Sequence, residues 1–339
     1  MEQNNIVKAK RPLIWHATLA VTVMAILAQV FGIITGAAVQ LFPGQFSDFG
    51  ADLLSLTGTQ LCVMLPVPFL FLYLSRCDVR GAVRLKKGIN AVQVILLMCI
   101  SAGAVPFANS MNSLFLELLG SLGYTPINSY MTNPTNDLQA IAGVLVIAVL
   151  PAFAEEFLFR GLVMRSFERY SPWVAAVCSA LLFGVMHGTW EQVFFAFILG
   201  LVLSYVVLIT DSLWASMTIH FTNNAFSVLA TYFITKYAPH LLTETESTAS
   251  SEVLISAVTG VAIGAVMLAV FLSLFTLYTR YRNQQKYGSP LPENLTVKPP
   301  VQPLSHPVLQ YLPLVLFCGL ELLQMMLLWL HPEWFGLGG

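Results

Sequence analysis

Charge is what this sequence lacks most. Of its 339 residues only 10% are Asp, Glu, Lys or Arg, where an ordinary soluble domain carries about 25%. That deficit excludes a soluble globular protein, and disorder and coiled coil go with it because both need polar or charged sequence. Net charge is small too, −1 from 16 Lys and Arg against 17 Asp and Glu, so there is no basic surplus to suggest nucleic acid as a partner. The five cysteines, Cys62, Cys77, Cys99, Cys178 and Cys318, lie far apart without CxxC or metal-type spacing, and they read as buried small hydrophobes. There is no GxSxG and no HExxH, so serine-hydrolase and zincin chemistry lack their motifs. No repeat of fixed period and no soluble domain is visible.

What is present is apolar, 57% of the chain. A polar start through Arg11 gives way to an apolar run over residues 13–42, too long for a signal-peptide core and without a small-residue cleavage site. It reads as a first transmembrane helix that is retained. At about 20 apolar residues per span, nine candidates follow: 13–41, 53–75, 89–109, 138–164, 173–188, 192–210, 213–235, 253–279 and 308–330. The expected fold is therefore all-α, a polytopic transmembrane helix bundle. Only Asp211 and Ser212 separate the sixth and seventh spans, which makes them an antiparallel hairpin. Residues 111–123 read as an interfacial or re-entrant helix, 125–137 as an outside loop, and the Pro-rich stretch 280–307 as a flexible cytoplasmic tether. The chain thus divides into N-terminal helices (1–137), a core (138–236) and C-terminal helices (237–339).

Fifteen of the 16 Lys and Arg fall in one alternate set of connections, and only Lys236 falls in the other. Positive residues stay inside, so the N-terminus is expected in the cytoplasm and the C-terminus outside, as nine spans require. The chain shows no recognisable sorting signal, which points to a bacterial cytoplasmic membrane.

Ionisable residues inside a span are costly and default to function. Three spans carry them together. The fourth has Glu155, Glu156 and Arg160; the fifth has Phe183 and His187; the seventh has His220, Asn223 and Asn224. Glu156 and Arg160, Phe183 and His187, and His220 and Asn224 are i,i+4 pairs, so each pair shares one helix face. Glu155 lies about 100° round from Glu156, so the two acids cannot share a partner equally. At about 1.5 Å per helical residue, Glu155, His187, His220 and Asn224 reach a common layer roughly 12–22 Å from the cytoplasmic ends of their helices. This layering needs Arg160 buried beside Glu156. Each feature has a plain structural reading: the ion pair as a helix lock, each His and the Asn as interhelical hydrogen bonds. A carboxylate, two imidazoles and an amide at one depth on three helices is, however, the inventory of a hydrolytic site. Glu191 and Asp211 sit at span ends and read as solvated. Glu321 is a separate buried acid without a partner legible in the sequence. His16 lies near the cytoplasmic interface, and His240, His306 and His331 lie in loops or at a span end.

A carboxylate beside an imidazole is suited to activating a water molecule as general base. A second imidazole with an amide one turn away can supply donors to an oxyanion. One Glu and two His could equally hold a zinc ion with an open position, and the residues alone leave both chemistries open. A non-enzymatic membrane scaffold or regulator using the same polar cluster is the alternative of another class. A transporter would show inverted repeats, which the sequence does not.

The order EExxxR (Glu155, Glu156, Arg160), FxxxH (Phe183, His187) and HxxxN (His220, Asn224) resembles the CPBP family, the CAAX-protease and bacteriocin-processing (Abi) group of intramembrane endopeptidases. The resemblance covers residues 138–236 and implies a metal-independent, glutamate-dependent peptidase with a polar cavity opening toward the cytoplasm. It implies that Glu155 with His187 activates water and that His220 and Asn224 stabilise the oxyanion. Glu156, Arg160 and Phe183 would support them, with no cofactor or, on an older reading, zinc. The implied substrate is a membrane-associated or lipidated protein, or a bacteriocin-like peptide, cleaved within the lipid bilayer. Oligomeric state is not legible.

Overall fold

The structure is a computed structural model and describes residues 12–42, 44–126, 133–239, 250–296 and 308–331. The described residues are helical, with no strand among them. In chain order the helices are α1 (Ile14–Leu41), α2 (Asp48–Leu74), α3 (Val79–Ala82), α4 (Ala91–Ser121), α5 (Asp137–Phe167), α6 (Pro172–Val185), α7 (Trp190–Thr210), α8 (Leu213–Tyr237), α9 (Ser250–Tyr287), α10 (Glu293–Thr296) and α11 (Leu312–Leu330). This is the all-α, polytopic architecture expected, and the chain is an integral membrane protein.

Each of the nine expected spans coincides with a helix, and seven helices are long and apolar enough to cross a membrane: α1, α2, α4, α5, α7, α9 and α11. The other two differ for physical reasons. Helix α6 has 14 residues, about 21 Å of rise against a hydrocarbon core of about 30 Å. Helix α8 is long enough at 25 residues, but Ser216, Thr218, His220, Thr222, Asn223 and Asn224 dilute its apolar character. Helix α8 carries His220, and α6 ends just before His187, so both candidate imidazoles sit on or beside these two helices.

Two long helices are not uniformly α-helical. In α2 the segment Gln60–Met64 is π-helical, and in α5 so are Val144–Val149 and Phe157–Val163. Such bulges widen a turn by one residue and are frequent at functional sites. All three lie against the residues discussed below.

Several sequence expectations are corrected. Residues 111–121 are no separate helix but the continuation of α4, which runs through Pro106. The buried Asn112 ties this far end to the start of α7: its Nδ2 donates to the Glu191 carbonyl at 2.8 Å and its Oδ1 accepts from Phe195 N–H at 3.2 Å. Residues 280–287 extend α9, and α10 docks through Asn294 Nδ2, which donates to the Leu208 carbonyl at 3.2 Å. The first part of the expected tether is therefore ordered helix; 297–307 lies outside the described residues, as do His240 and His306. No described cysteine is buried: Cys62 is exposed and the other four are partly so, with Cys77, Cys178 and Cys318 packed against the edge of the core. His16 is buried, its Nδ1 accepting from the Leu13 N–H at the start of α1.

Close helix approach holds the bundle together. A Cβ on Gly103 of α4 would lie 2.7 Å from the Leu268 backbone nitrogen of α9, and one on Gly264 would lie 2.6 Å from that of Phe107. Without a side chain these positions let two long helices touch along their backbones, the small-residue packing that membranes favour. At the Lys/Arg-rich end, Arg84 pairs with Glu168 after α5 and, at 2.8 Å, with Asp211 between α7 and α8. Lys87 adds to Asp211 at 2.9 Å and Arg165 to Glu168 at 2.7 Å. Asp211 is thus no solvated span end, and Glu191 likewise accepts from the Tyr124 hydroxyl.

Candidate active site

Glu155 and Glu156 occupy the last turn of the α-helical stretch Leu150–Glu156, immediately before the π segment that carries Arg160. Both Glu156 and Arg160 are fully buried, and Nη1 of Arg160 donates to Oε1 of Glu156 at 2.9 Å. The guanidinium also donates from Nη2 to the Gly200 carbonyl at 3.1 Å and lies 4.5 Å from the centroid of the Phe183 ring. Gly200 makes room for it, since a Cβ there would come 3.3 Å from Nη2 and 3.0 Å from the Ala180 backbone. A buried ion pair depends on further partners for its polar groups; here a carboxylate, a carbonyl and an aromatic face share the guanidinium, while its Nε has no hydrogen-bond partner among the described residues.

His220 is buried on α8 and reaches both acids unequally. Its Nδ1 lies 2.9 Å from Oε1 of Glu156, and its Nε2 lies 3.8 Å from Oε2 of Glu155. An N–H at Nδ1 donating to Glu156 fixes the ring and its tautomer, and leaves Nε2 facing the second carboxylate. Phe183 packs edge-on against His187 and His220, with ring centroids 5.0 Å and 5.8 Å away. One benzene ring thereby spaces both imidazoles and the guanidinium.

His187 follows the end of α6 rather than lying within it. The helix stops at Val185, the chain turns at Gly188 with φ +63°, and α7 begins at Trp190. A left-handed residue ends a helix most cheaply as glycine. Nδ1 of His187 lies 2.8 Å from the Phe183 carbonyl, so as donor it leaves Nε2 free. Helix α11 grips this turn: Gln324 Nε2 donates to the Gly188 carbonyl at 3.3 Å and Trp190 Nε1 to the Met325 carbonyl at 3.0 Å. Glu321 is buried beside the turn, its Oε2 about 3.0 Å from where a Cβ on Gly188 would stand.

The structure therefore brings Glu155, Glu156, Arg160, Phe183, His187 and His220 into one cluster. Asn224 is differently engaged. Its Nδ2 donates to the Ile147 carbonyl, in a π segment of α5, at 2.9 Å, and its Oδ1 accepts from Asn223 at 2.7 Å; one further N–H of the amide remains to donate. A residue the sequence reading passed over stands against Glu155: Gln60 of α2, whose Nε2 donates to Oε1 at 3.0 Å. Its signal was an uncharged polar side chain inside a span. Among the described residues no three His, Cys, Asp or Glu converge closely enough to hold a metal ion.

Comparison with known families places a description on this arrangement. Residues 137–226 match the family model described as Type II CAAX prenyl endopeptidase Rce1-like. The segment is Rce1-like. It contains Glu155, Glu156, Arg160, Phe183, His187, His220 and Asn224, while Gln60 and Glu321 stand outside it. No curated protein and no solved structure matches the chain. The Rce1-like segment, set among helices apolar enough to span a bilayer, supports an intramembrane protease acting on a peptide substrate.

Proposed function

We propose that the protein is a glutamate-type intramembrane endopeptidase whose catalytic core is residues 138–236. Glu155 with His187 takes a proton from water, and the resulting hydroxide attacks the peptide carbonyl. The oxyanion receives hydrogen bonds from Nε2–H of His220, in its imidazolium form against Glu156, and from the remaining N–H of Asn224. As the C–N bond breaks, Glu155 returns its proton to the leaving amine. Glu156, Arg160 and Phe183 hold the imidazoles in place.

The observation that carries this reading is the division between two adjacent carboxylates. Glu156 is committed to Arg160 and His220, whereas Glu155 meets a neutral amide at 3.0 Å and an imidazole nitrogen no closer than 3.8 Å. One acid builds the site and the other is available to react. The asymmetry of Lys and Arg supports an orientation with the Arg84 end in the cytoplasm, and on this reading a polar cavity opens there to admit the substrate. A membrane-associated or lipidated protein, or a bacteriocin-like peptide, is the substrate class, and a bacterial cytoplasmic membrane the location.

The test is cleavage of fluorogenic peptides, with and without a prenyl group, by purified wild type and Glu155→Gln in nanodiscs. Cleavage lost in the variant and kept under strong chelation supports the reading. Cleavage lost to chelator and restored by zinc replaces it with a metallopeptidase, and cleavage by neither protein favours a scaffold.

A further inference from the structure

We propose that Gln60, on α2 and outside the Rce1-like segment, is a positioning residue for Glu155. The inference rests on the peptidase reading above and deepens it by adding a second helix to the machinery of the carboxylate.

The argument begins with the backbone. Gln60 opens the π segment Gln60–Met64, and its carbonyl accepts from the Leu65 N–H at 2.9 Å, five residues on. Around this widened turn Leu61 and Cys62 face outward, while Gln60, Val63 and Met64 are buried. The wider turn thus sets the only polar side chain of QLCVM inward, where it is 6% exposed, in hydrogen-bond contact with Glu155.

The chemistry follows from the two ends of the amide. A carboxylate rotates through a broad torsional well, and a general base must present one oxygen to its water within hydrogen-bond reach. The Nε2 donor of Gln60 captures Oε1 of Glu155, which fixes the carboxylate plane and leaves Oε2 on the side of His220. The other end, Oε1 of Gln60, is buried with no hydrogen-bond partner among the described residues. Buried polar atoms are nearly always satisfied, and a water between Gln60 and Glu155 would satisfy this one. One O–H of that water would donate to Glu155, the proton later transferred, and the other to Gln60, leaving its lone pair free for attack.

Gln60→Met removes both ends of the amide at similar volume, and Gln60→Asn withdraws it by one methylene. For the full chain in nanodiscs, with a peptide that wild type cleaves, Gln60→Met is expected to lower kcat 10- to 100-fold with KM within twofold. Gln60→Asn is expected to lower kcat at least fivefold and carries the comparison if the Met variant does not fold. A loss confined to KM, or none, overturns the proposal. A second readout does not depend on cleavage. The melting-temperature shift caused by Gln60→Met should be at least about 2 °C larger in wild type than in Glu155→Gln, because the donor then no longer faces an anion. Equal shifts in both backgrounds make Gln60 a packing residue and overturn the proposal, whereas unequal shifts without any peptide cleavage leave Gln60 holding Glu155 and fail the peptidase reading alone.

Discussion

Two clusters of charge among the described residues, one centred on Arg84 and one on Arg160, are built to opposite rules. At the Lys/Arg-rich end, each carboxylate meets two cations: Glu168 accepts from Arg84 and Arg165, and Asp211 from Arg84 and Lys87. Between α5, α6 and α8, Glu156 pairs directly with Arg160 and His220, but its neighbour Glu155 makes no direct ion pair with a Lys or Arg among the described residues. Each has a buried centre, Arg84 with Glu168 in one and Glu156 with Arg160 in the other. What separates them is whether every acid is neutralised, and an acid that is not can change its protonation during a reaction. The fully paired cluster ties the loop before α4 to the end of α5 and the α7–α8 hairpin, a fastening role. The incompletely paired one lies within the segment that matches a peptidase family.

The comparison is sharpened first by Glu155→Gln, with the largest expected effect. Peptide cleavage per folded molecule should fall by about 10³-fold or more, the scale at which loss of an essential group is felt, while the melting temperature stays close to that of wild type. Arg160→Ala comes next. It strands Glu156 as a buried charge, at a cost of about 3–5 kcal/mol, read as loss of folded protein by size-exclusion chromatography. Replacing both partners, Glu156→Gln with Arg160→Met, should recover much of that yield without recovering cleavage.

Asp211→Asn is expected to cost about 1–3 kcal/mol, the range for a charged hydrogen bond, and to leave cleavage per folded molecule within twofold. Its pH dependence has a definite sign. Burial alone would raise the Asp211 carboxyl, but Arg84 and Lys87 outweigh it and hold the group below its ordinary value. Its contribution is therefore complete above the ordinary aspartate range and is lost as pH falls through the lowered folded-state value. Melting curves of wild type and Asp211→Asn should converge in acid and separate toward neutral pH. The smallest effect is Phe183→Leu, which removes a ring face worth about 0.5–2 kcal/mol to Arg160 and loosens both imidazoles. Cleavage should drop a few-fold with little change in folded yield.

Much of the inner cluster was legible because three short motifs place its residues at helical spacing. Glu156 meets Arg160 and Phe183 meets His187 four residues on, and His220 joins them from α8 beside Glu155. Seven of the nine expected spans were legible from apolar length, and the other two fall on α6, which is short, and α8, which is polar. Gln60 was missed because one amide in an apolar run carries no pattern, and its inward aim depends on a π bulge without a composition signature. The Asp211 and Glu191 partners were missed for another reason: Arg84 and Tyr124 are distant in sequence, and only tertiary packing brings them close. Helix α4 outran its expected end because the buried Asn112 finds partners on α7, again a contact between separate elements.

The most direct test exchanges one acid from each cluster. Glu155→Gln and Asp211→Asn are compared in nanodiscs for melting temperature and for peptide cleavage normalised to folded protein. The account predicts that Glu155→Gln loses cleavage and keeps stability, while Asp211→Asn loses stability and keeps cleavage. Two variants that lose stability alike, with cleavage per folded molecule unchanged in both, would contradict it.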